Sequence, residues 1–230
     1  MIGLESQRDR VSIIIPTLNE EETVVKLLGD LAAHRHDWLD VTVVDGGSSD
    51  RTVEVVSAFE KVTLIHGPKG RAVQMNAGAA QARGGLLIFL HADTRITQAE
   101  VLRLKEIARD SAGFLTMQFD DKKSWLLAAY GRLSRLNRTL FTYGDQGLVV
   151  SRALFEQVNG FKDMPILEDI DMVRRLKNEI SFRRYDIAIT TSARRFQKHG
   201  IICQQIRNVC IITDYLAGVK PEVLSKYYRY

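Results

Sequence analysis

The residues with the clearest chemical potential in this sequence follow an apolar run, "LLIFL", at 86–90. His91, Ala92 and Asp93 come next, so an imidazole and a carboxylate lie directly after a segment that is typical of a buried strand. A carboxylate at the rim of a sheet can cap the helix that begins near Thr97, or it can hold a divalent metal ion. The residue types alone leave both roles open.

Three earlier apolar runs, at 11–15, 41–45 and 62–66, also lead into polar or glycine-rich segments. These segments are "PTLNE" at 16–20, "DGGS" at 45–48 and "HGPKGR" at 66–71. Helical patterns separate the runs, which indicates βαβ units and a mainly parallel sheet covered by helices on both faces. Ligands bind at the carboxyl ends of the strands in such sheets. We therefore predict that these segments and Asp93 share one rim.

The composition fits one globular domain with an appendage. The chain has 230 residues, of which 45% are hydrophobic and 26% charged. No apolar segment approaches the ~18 residues of a membrane span, and the first ten residues lack the core of a signal peptide, so we expect a cytoplasmic protein. A formal net charge of +4 without a nucleic-acid-binding motif favours a phosphorylated substrate or anionic lipid as the partner.

The second half of the chain has a less regular pattern. It predicts a helix, a strand, an amphipathic helix, a strand followed by a helix, another helix and an extended segment. These elements are placed at 97–109, 113–119, 124–141, 147–161, 168–178 and 180–190.

The C-terminal stretch is apolar with scattered polar positions at 201–217. It can pack on the domain, form a homodimer interface, or lie on a membrane surface, which would place the protein peripherally at the inner membrane. Packing or dimerisation is the simpler alternative. Cys203 and Cys210 are two helical turns apart, too far for a disulfide, and we expect two buried thiols.

Four segments, in this order, resemble the family 2 glycosyltransferases of the GT-A fold over roughly residues 11–178. They are "SIIIPTLNEEETV", "VVDGGSSDRTVEVV", "GRAVQMNAGAAQARGGLLIFLHADT" and "LEDIDMVRRL". The segments "FLHADT", "GDQG" and "TSARRF" also resemble a bacterial subgroup, the radical-SAM/selenodomain-associated transferases. The resemblance implies one doubly wound, mainly parallel α/β domain: a nucleotide-binding half at 1–95, an acceptor half at 96–192 and a helical extension at 193–230.

The resemblance implies that Asp93 is the ligand of a divalent cation, Mg²⁺ or Mn²⁺, which bridges the donor diphosphate. The first acid of the family's Asp-x-Asp motif is His91 here, and His91 would contact the metal through water or the donor ribose. His199 is a candidate additional metal partner.

The "ED" motif of the family matches Glu168 and Asp169. Asp169 would then be the base that takes the proton from the acceptor hydroxyl in an inverting transfer. Acidic residues are also favoured in the first turn of a helix by its dipole, so a purely structural role for this pair stays open.

The resemblance also assigns contacts with the donor nucleotide. The residues are Pro16, Thr17, Asn19, Glu20, Asp45, Arg71, His91, Ala92 and Arg195. The usual second acid after the second strand is Gly46 in this chain, so the choice between a UDP-sugar and another NDP-sugar is open. The adjacent Arg194 and Arg195 could clamp the diphosphate or lie on a surface turn.

We therefore predict a hexosyltransferase-like family 2 enzyme that uses a nucleotide-sugar donor and a small-molecule or lipid-linked acceptor. One alternative is a non-catalytic nucleotide- or nucleotide-sugar-binding protein, which the loss of the first metal-motif acid keeps open. The other is a nucleotidyltransferase. That class would want a basic, glycine-rich loop after the first strand, and the acidic "PTLNEEE" counts against it.

Overall fold

The computed structural model describes residues 8–32, 36–121, 124, 131, 146–193 and 200–227. The strands in this part of the chain are β1 Val11–Thr17, β2 Leu39–Asp45, β3 Val62–His66, β4 Leu86–Phe89, β5 Arg95–Ile96, β6 Ala112–Phe119, β7 Leu148–Ser151 and β8 Arg183–Thr191. The helices are α1 Glu21–Ala32, α2 Thr52–Ser57, α3 Arg71–Gln81, α4 Gln98–Arg103, α5 Arg152–Gln157, α6 Glu168–Glu179, α7 Ile201–Leu216 and α8 Pro221–Leu224. The predicted helix at 124–141 falls outside the described residues, apart from 124 and 131.

The strands form one sheet in the order β3-β2-β1-β4-β7-β6-β8-β5. Neighbouring strands from β3 to β4 are all parallel, as predicted for the first half of the chain. Strand β7 then runs antiparallel to both β4 and β6, and β8 is parallel to β6 and antiparallel to β5. Because of these directions, the carboxyl ends of β1–β4, β6 and β8 lie at the same edge of the sheet.

Each face of the sheet is covered by helices, because the central strands are apolar on both sides. Along β1, Ile13 and Ile15 belong to the core under α1, α2 and α4, whereas Ile14 belongs to the core under α3, α5 and α6. Successive strand side chains point to opposite faces, so a continuous apolar run buries both. The predicted doubly wound α/β class is confirmed.

Two positions, one just before helix α3 and one within it, require glycine. Gly70, the residue before the helix, has φ +144°, a conformation that other residues rarely adopt. Gly78 lies where an added Cβ would be 2.4 Å from Cγ2 of Ile14, so the helix can approach β1 only without a side chain there. Gly70 thus permits the turn into α3, and Gly78 permits the close packing of α3 on β1.

The C-terminal helices α7 and α8 pack on the domain through a small apolar cluster. Ile211 and Leu224 are buried against Ile166, with Leu167 and Tyr215 half-buried beside them. The prediction of two buried thiols is wrong, because the side chains of the two cysteines on α7 are both exposed. The helical pattern has apolar residues on more than one side, and it does not reveal which side faces the domain.

Candidate functional site

The loops after β1 and β2 lock together at the rim. The Asn19 backbone N–H donates to Ser48 Oγ at 2.9 Å, and Asn19 Oδ1 accepts from the Ser49 N–H at 2.8 Å. Asn19 is exposed and has φ +55°, a left-handed conformation that asparagine tolerates better than most residues. The loop is therefore held in one shape with its backbone near solvent.

Asp45 ends β2 and organises the turn that follows. Its side chain is buried, and Oδ2 accepts from the N–H groups of Gly47 and Ser48, each at 3.0 Å. Oδ1 accepts from the Ser48 hydroxyl, and the exposed His66 ring lies 3.8 Å from Oδ2. The arrangement gives Asp45 a structural task in the glycine-rich turn; its predicted contact with the donor stays a prediction.

The other residues of the first loop use their side chains locally. Thr17 is buried, and its hydroxyl donates to the Val44 carbonyl at 3.3 Å. The Glu20 carboxylate accepts from Thr23 Oγ1 at 2.6 Å, while the half-buried Pro16 precedes them at the end of β1. Within residues 16–20, Asn19 is therefore the one whose side chain is exposed.

Gln74 of α3 is a rim residue that sequence reasoning missed. Its Nε2 donates to the carbonyl oxygens of Thr17 and Val44, both at 2.8 Å, and ties the helix to β1 and β2. A Cβ at position 46 would lie 2.9 Å from that same Nε2, so Gln74 fills the space beside Gly46. The sequence feature that could have identified Gln74 is its position on the inward face of α3, between the buried Ala72 and Gly78.

Asp93 lies half-buried on the short segment between β4 and β5. It does not cap helix α4, because Thr97 is the capping residue and its hydroxyl accepts from the Glu100 N–H at 3.4 Å. The Thr94 N–H donates to the His91 carbonyl at 3.1 Å and closes a tight turn around Asp93. Of the two roles left open by the sequence, capping is thus taken by another residue.

The segment after Asp93 is fixed by a bidentate ion pair. Arg95 Nε and Nη2 donate to the Asp30 carboxylate at 2.6 and 2.7 Å, and the Ile96 N–H donates to Asp30 Oδ2 at 3.2 Å. Arg95 also pairs with Thr190 in the β5–β8 ladder. The position of Asp93 is therefore held by both α1 and β8.

The Glu168-Asp169 motif lies at this rim, where Glu168 pairs with Arg71. Arg71 is the first residue of α3, and its Nη1 lies 3.2 Å from Oε1 of Glu168, the first residue of α6. The Glu168 side chain is buried, and Leu167 before it has φ +67°. The ion pair joins two helix starts that are 97 residues apart in the sequence.

The chain that leads to α6 is also anchored at the end of β4. Asn76 of α3 donates to the Phe161 carbonyl at 2.8 Å and accepts from the Phe161 N–H at 2.9 Å. The Phe161 ring meets Phe89, the last residue of β4, edge to face with centroids 5.0 Å apart. Asn76 and the aromatic pair thus hold this segment against the strand that precedes Asp93.

The carboxylates at the start of α6 are in different environments. Asp169 is half-buried, and its Oδ1 accepts from the Ile170 N–H at 2.8 Å. Asp171 is buried and accepts from Lys162 Nζ at 2.9 Å, Arg175 Nε at 2.7 Å and Tyr215 Oη at 3.3 Å. Asp171 is therefore committed to structure, and Asp169 is the more accessible of the two.

The contacts around Asp171 shift the pKa values of Asp171 and Tyr215. Burial alone would raise the pKa of the Asp171 carboxyl, but the hydrogen bonds from Lys162 and Arg175 together hold that pKa below its ordinary value. Burial and the neighbouring Asp171 charge raise the pKa of the Tyr215 phenol. Asp171 is consequently a charged anchor between α6 and α7 near neutral pH.

Arg194, Arg195 and His199 fall outside the described residues. Strand β8, which leads to them, ends at Thr191, one residue after the Thr190 that pairs with Arg95. Just beyond it, the Ala193 N–H donates to Asp120 Oδ1 at 2.9 Å. The carboxyl end of β8 therefore lies beside the segment that follows Asp93.

The residues near Asp93 fit a cation that arrives with a phosphorylated ligand. Within the described ranges, no three His, Cys, Asp or Glu side chains form a group that could hold a metal ion. Mg²⁺ commonly takes one or two carboxylates and completes its shell with substrate phosphates and water. The Thr94 hydroxyl, one residue after Asp93, is buried without a hydrogen-bond partner among the residues described, which leaves a polar group for a ligand or water to satisfy.

The sequence profile named glycosyl transferase family 2 matches residues 12–146, more than half of the chain. The match covers the loops after β1 and β2, the start of α3 and the Asp93 turn. The chain therefore belongs to glycosyl transferase family 2.

Curated relatives carry glycosyltransferase names. The probable glycosyltransferase YdaM of Bacillus subtilis (strain 168) is 25% identical over 199 residues, covering 74% of this chain and 47% of that protein. The PGL/p-HBAD biosynthesis glycosyltransferase Rv2957 of Mycobacterium tuberculosis is 34% identical over 97 residues, covering 40% of this chain and 38% of the relative. The chain thus spans less than half of the length of these relatives.

Solved structures share the fold. The mannosyltransferase PcManGT from Pyrobaculum calidifontis, in complex with GDP-Man and Mn²⁺, aligns with a TM-score of 0.68 at 18% identity, covering 93% of this chain and 66% of that one. Residues 1–349 of S. aureus TarS, in complex with UDP-GlcNAc, align with a TM-score of 0.64 at 20% identity, covering 80% and 58%. The predicted GT-A fold is confirmed.

Proposed function

We propose that this chain transfers a sugar from a nucleoside-diphosphate donor to an acceptor hydroxyl, with inversion and with the help of a divalent cation. The observation that carries the proposal is the Arg71–Glu168 ion pair. It brings the start of α6, where Asp169 lies, to the rim that already contains the β1 and β2 loops and the Asp93 turn. Family membership supports the reaction class.

In this proposal the donor nucleotide lies over the loops after β1 and β2. Asn19 and the backbone around Pro16 and Glu20 contact the base and ribose, and the turn organised by Asp45 closes beside them. The donor is a UDP-sugar or another NDP-sugar, since Gly46 replaces the family's second acid. GDP-Man in one structural neighbour and UDP-GlcNAc in another support the donor class in general.

The diphosphate lies between the start of α3 and the Asp93 turn. Arg71 and the helix N-terminus favour negative charge there, and the family resemblance assigns Arg195 to the same ligand. A bound Mg²⁺ or Mn²⁺, held by Asp93 with His91 and Ala92 alongside, would supply charge neutralisation for the departing nucleoside diphosphate. The neighbour with Mn²⁺ supports this assignment.

Asp169 is the proposed base. It accepts the proton from the acceptor hydroxyl as the acceptor oxygen bonds to the anomeric carbon. The bond from that carbon to the diphosphate oxygen breaks, and its electron pair leaves with the diphosphate. The buried Glu168 and Asp171 on either side hold the helix start in position, and Asp169 is left as the accessible carboxylate of the motif.

The finer assignments belong to the same proposal. The transferred group is hexose-like, and the acceptor is a small molecule or a lipid-linked hydroxyl compound. Membership of the radical-SAM/selenodomain-associated subgroup and a cytoplasmic location stay predictions from the sequence. The undecaprenyl-phosphate 4-deoxy-4-formamido-L-arabinose transferase of Serratia proteamaculans, 26% identical over 155 residues, supports a lipid-linked acceptor.

A thermal-shift screen of nucleoside diphosphates and nucleotide sugars, with and without Mn²⁺ or Mg²⁺, tests the donor site. A ligand that binds only the folded state raises the melting temperature, and tighter binding at a given concentration gives a larger rise. We expect a shift that needs the metal, that disappears in Asp93→Ala and that persists in Asp169→Asn. Asp37→Asn, an exposed carboxylate before the amino end of β2, is the matched control and should behave as wild type.

The catalytic half of the proposal needs a turnover measurement. With a donor identified by the screen, Asp169→Asn should retain binding and lose transfer by about a hundredfold or more. A product whose anomeric configuration, observed by NMR, is opposite to that of the donor supports inversion. Absence of any shift across all nucleotides, or an Asp169→Asn variant with unchanged turnover, contradicts the proposal and favours the non-catalytic alternative.

A further inference from the structure

Helices α7 and α8 have one face packed on the domain and another exposed to solvent. Ile211 and Ile212 of α7 and Leu224 of α8 are buried. The opposite side presents apolar and weakly polar side chains, which we call the outer stripe. The outer stripe consists of Cys203, Ile206, Val209, Cys210, Leu216, Val219, Val223 and Tyr227.

The outer stripe follows one side of α7 and extends onto α8. Its members on α7 recur at intervals of three, four and seven residues, which places them along one side of the helix. Ile206 is 59% exposed and Tyr227 is 71% exposed. No helix among the described residues is long and apolar enough to cross a bilayer.

The charge of this part of the chain favours an anionic partner. Residues 200–230 contain four Lys or Arg and two Asp or Glu, a net charge of +2. An anionic lipid surface attracts a segment with this charge. Lys220 and Lys226, both exposed, flank α8 at the end of the stripe.

The inner face of α7 contacts the helix that begins with the acidic motif. Tyr215 Oη donates to Asp171 Oδ1 at 3.3 Å, and the Arg174 guanidinium lies 6.0 Å from the centre of the Tyr215 ring. Asp171 is two residues after Asp169. A helix with its side chains is about 10–12 Å across, so the outer stripe lies roughly one helix thickness from the segment that holds the proposed base.

We propose that the outer stripe binds the surface of an anionic lipid bilayer, with α7 and α8 lying in the interface plane. Apolar stripe residues enter the boundary of the headgroups, and Lys220, Lys226 and Tyr227 contact headgroups. The orientation brings the start of α6 close to the bilayer, where a lipid-linked acceptor would present its hydroxyl. Only this last point, the acceptor, rests on the proposed function.

The two native cysteines provide a direct probe, because they are the only two in the chain and both lie in the outer stripe. The unmodified protein is reacted with a fluorescent maleimide alone, with phosphatidylcholine vesicles, and with vesicles that also contain phosphatidylglycerol. We expect co-flotation with the anionic vesicles and a labelling rate of both thiols that falls by about tenfold or more. Neutral vesicles should protect far less.

Variants distinguish the outer stripe from general hydrophobic binding. Ile206→Glu and Val223→Glu should each weaken flotation by about tenfold or more, with an unchanged melting temperature. Leu102→Glu is the matched control, since Leu102 is 48% exposed on α4, outside the stripe, and its variant should float as wild type does.

Two results overturn the inference. One is wild-type protein that neither floats with anionic vesicles nor shows slower labelling. The other is protection that rises with protein concentration without vesicles, which identifies a second copy as the occupant. The nucleotide-dependent thermal shift should persist in Ile206→Glu. If wild type floats with anionic vesicles but no nucleotide shifts its melting temperature, the proposed function fails and the membrane inference stands.

Discussion

Arg71 Nη1 lies 3.2 Å from Glu168 Oε1, and this ion pair connects the first residues of α3 and α6 across the rim of the sheet. The Glu168 side chain is 3% exposed and that of Arg71 is 31% exposed. The Arg71 guanidinium therefore compensates the charge of the buried Glu168 carboxylate. The pair thereby couples the glycine-rich approach to α3 with the acidic motif. A donor that contacts Arg71 would be linked to the position of Asp169 through one side chain.

Replacing Arg71 should reduce both stability and donor binding. In Arg71→Ala the buried Glu168 carboxylate loses a charged hydrogen-bond donor, which typically costs about 1.5–3 kcal/mol of unfolding free energy. Urea denaturation measures this loss. Arg51→Ala is the control, because the Arg51–Glu54 pair has similar chemistry but both side chains are well exposed. Its unfolding midpoint should match wild type, and equal effects of the two substitutions would contradict the role given to Arg71.

Asp171 should confer pH-dependent stability. Its folded-state pKa is lowered because hydrogen bonds from Lys162 and Arg175 outweigh the burial that raises it. The stabilisation is then fully present above the unfolded-state pKa of about 3.9 and is lost as the pH falls through the folded-state value. We expect Asp171→Asn to unfold more easily than wild type near neutral pH by about 1.5–3 kcal/mol.

The measurement is urea unfolding of wild type and Asp171→Asn at a series of pH values from about 7 down to about 3. The difference in unfolding free energy should stay constant in the upper part of this range and shrink below about pH 4. Tyr215→Phe, which removes one hydrogen-bond donor to Asp171 and keeps the ring, should show a smaller effect in the same direction. A difference that is independent of pH would contradict the assignment of the charge.

Gly46 and Gln74 should be energetically coupled. A Cβ at position 46 would lie 2.9 Å from Gln74 Nε2, which is held by the carbonyls of Thr17 and Val44. Gly46→Asp, which introduces the family's usual acid, should therefore destabilise the protein by about 1–3 kcal/mol. In Gln74→Ala that space is open. Adding Gly46→Asp to this variant should therefore cost less unfolding free energy than adding it to wild type.

A double-mutant cycle by urea denaturation measures this coupling. Gly29→Ala is the control, since no atom lies within 4 Å of a Cβ built there and the glycine is inside helix α1. That substitution should stabilise the protein by about 0.5–1 kcal/mol. Additive effects of Gly46→Asp and Gln74→Ala would mean that Gln74 does not occupy the space of the missing acid.

The Asp30–Arg95 pair should act on metal affinity rather than on stability. Asp30 holds Arg95 and the Ile96 N–H, and these residues follow the Asp93 turn directly. Loss of the carboxylate in Asp30→Ala should loosen that turn and weaken Mn²⁺-dependent nucleotide binding by about tenfold. Calorimetric titration of Mn²⁺ with a nucleoside diphosphate present measures it. Unchanged metal affinity would indicate that the turn is held without this pair.

The sequence predicted the parallel half of the fold closely. Strand β3 has the predicted bounds and β4 ends one residue early, whereas β1 continues through Pro16 to Thr17 and β2 begins two residues early at Leu39. The predicted helix at 97–109 stops at Arg103 and tightens into a 3₁₀ turn, Leu104–Glu106. Local pattern does not reveal how far such a helix continues once its apolar side has reached the core.

The rest depends on contacts between distant residues. Nothing in the local pattern places β7 between β4 and β6, since strand order is decided by pairing across the whole chain. The Arg71–Glu168 pair is likewise invisible in sequence, although the resemblance implies a donor contact for Arg71 and places Glu168 in the motif that carries the base. Glu168, Asp169 and Asp171 look alike in the sequence, and only the surrounding Lys162, Arg175 and Tyr215 separate a structural carboxylate from an accessible one.

The central claim is that a cation at Asp93 faces Asp169 across one cleft. A crystal structure of the protein with Mn²⁺ and the nucleoside diphosphate from the thermal-shift screen tests this directly, because Mn²⁺ is located by its anomalous scattering. We predict an anomalous peak about 2 Å from an Asp93 carboxylate oxygen. The Asp169 carboxylate should open into the same cleft. Manganese bound elsewhere, or Asp93 and Asp169 opening into separate clefts, would contradict the claim.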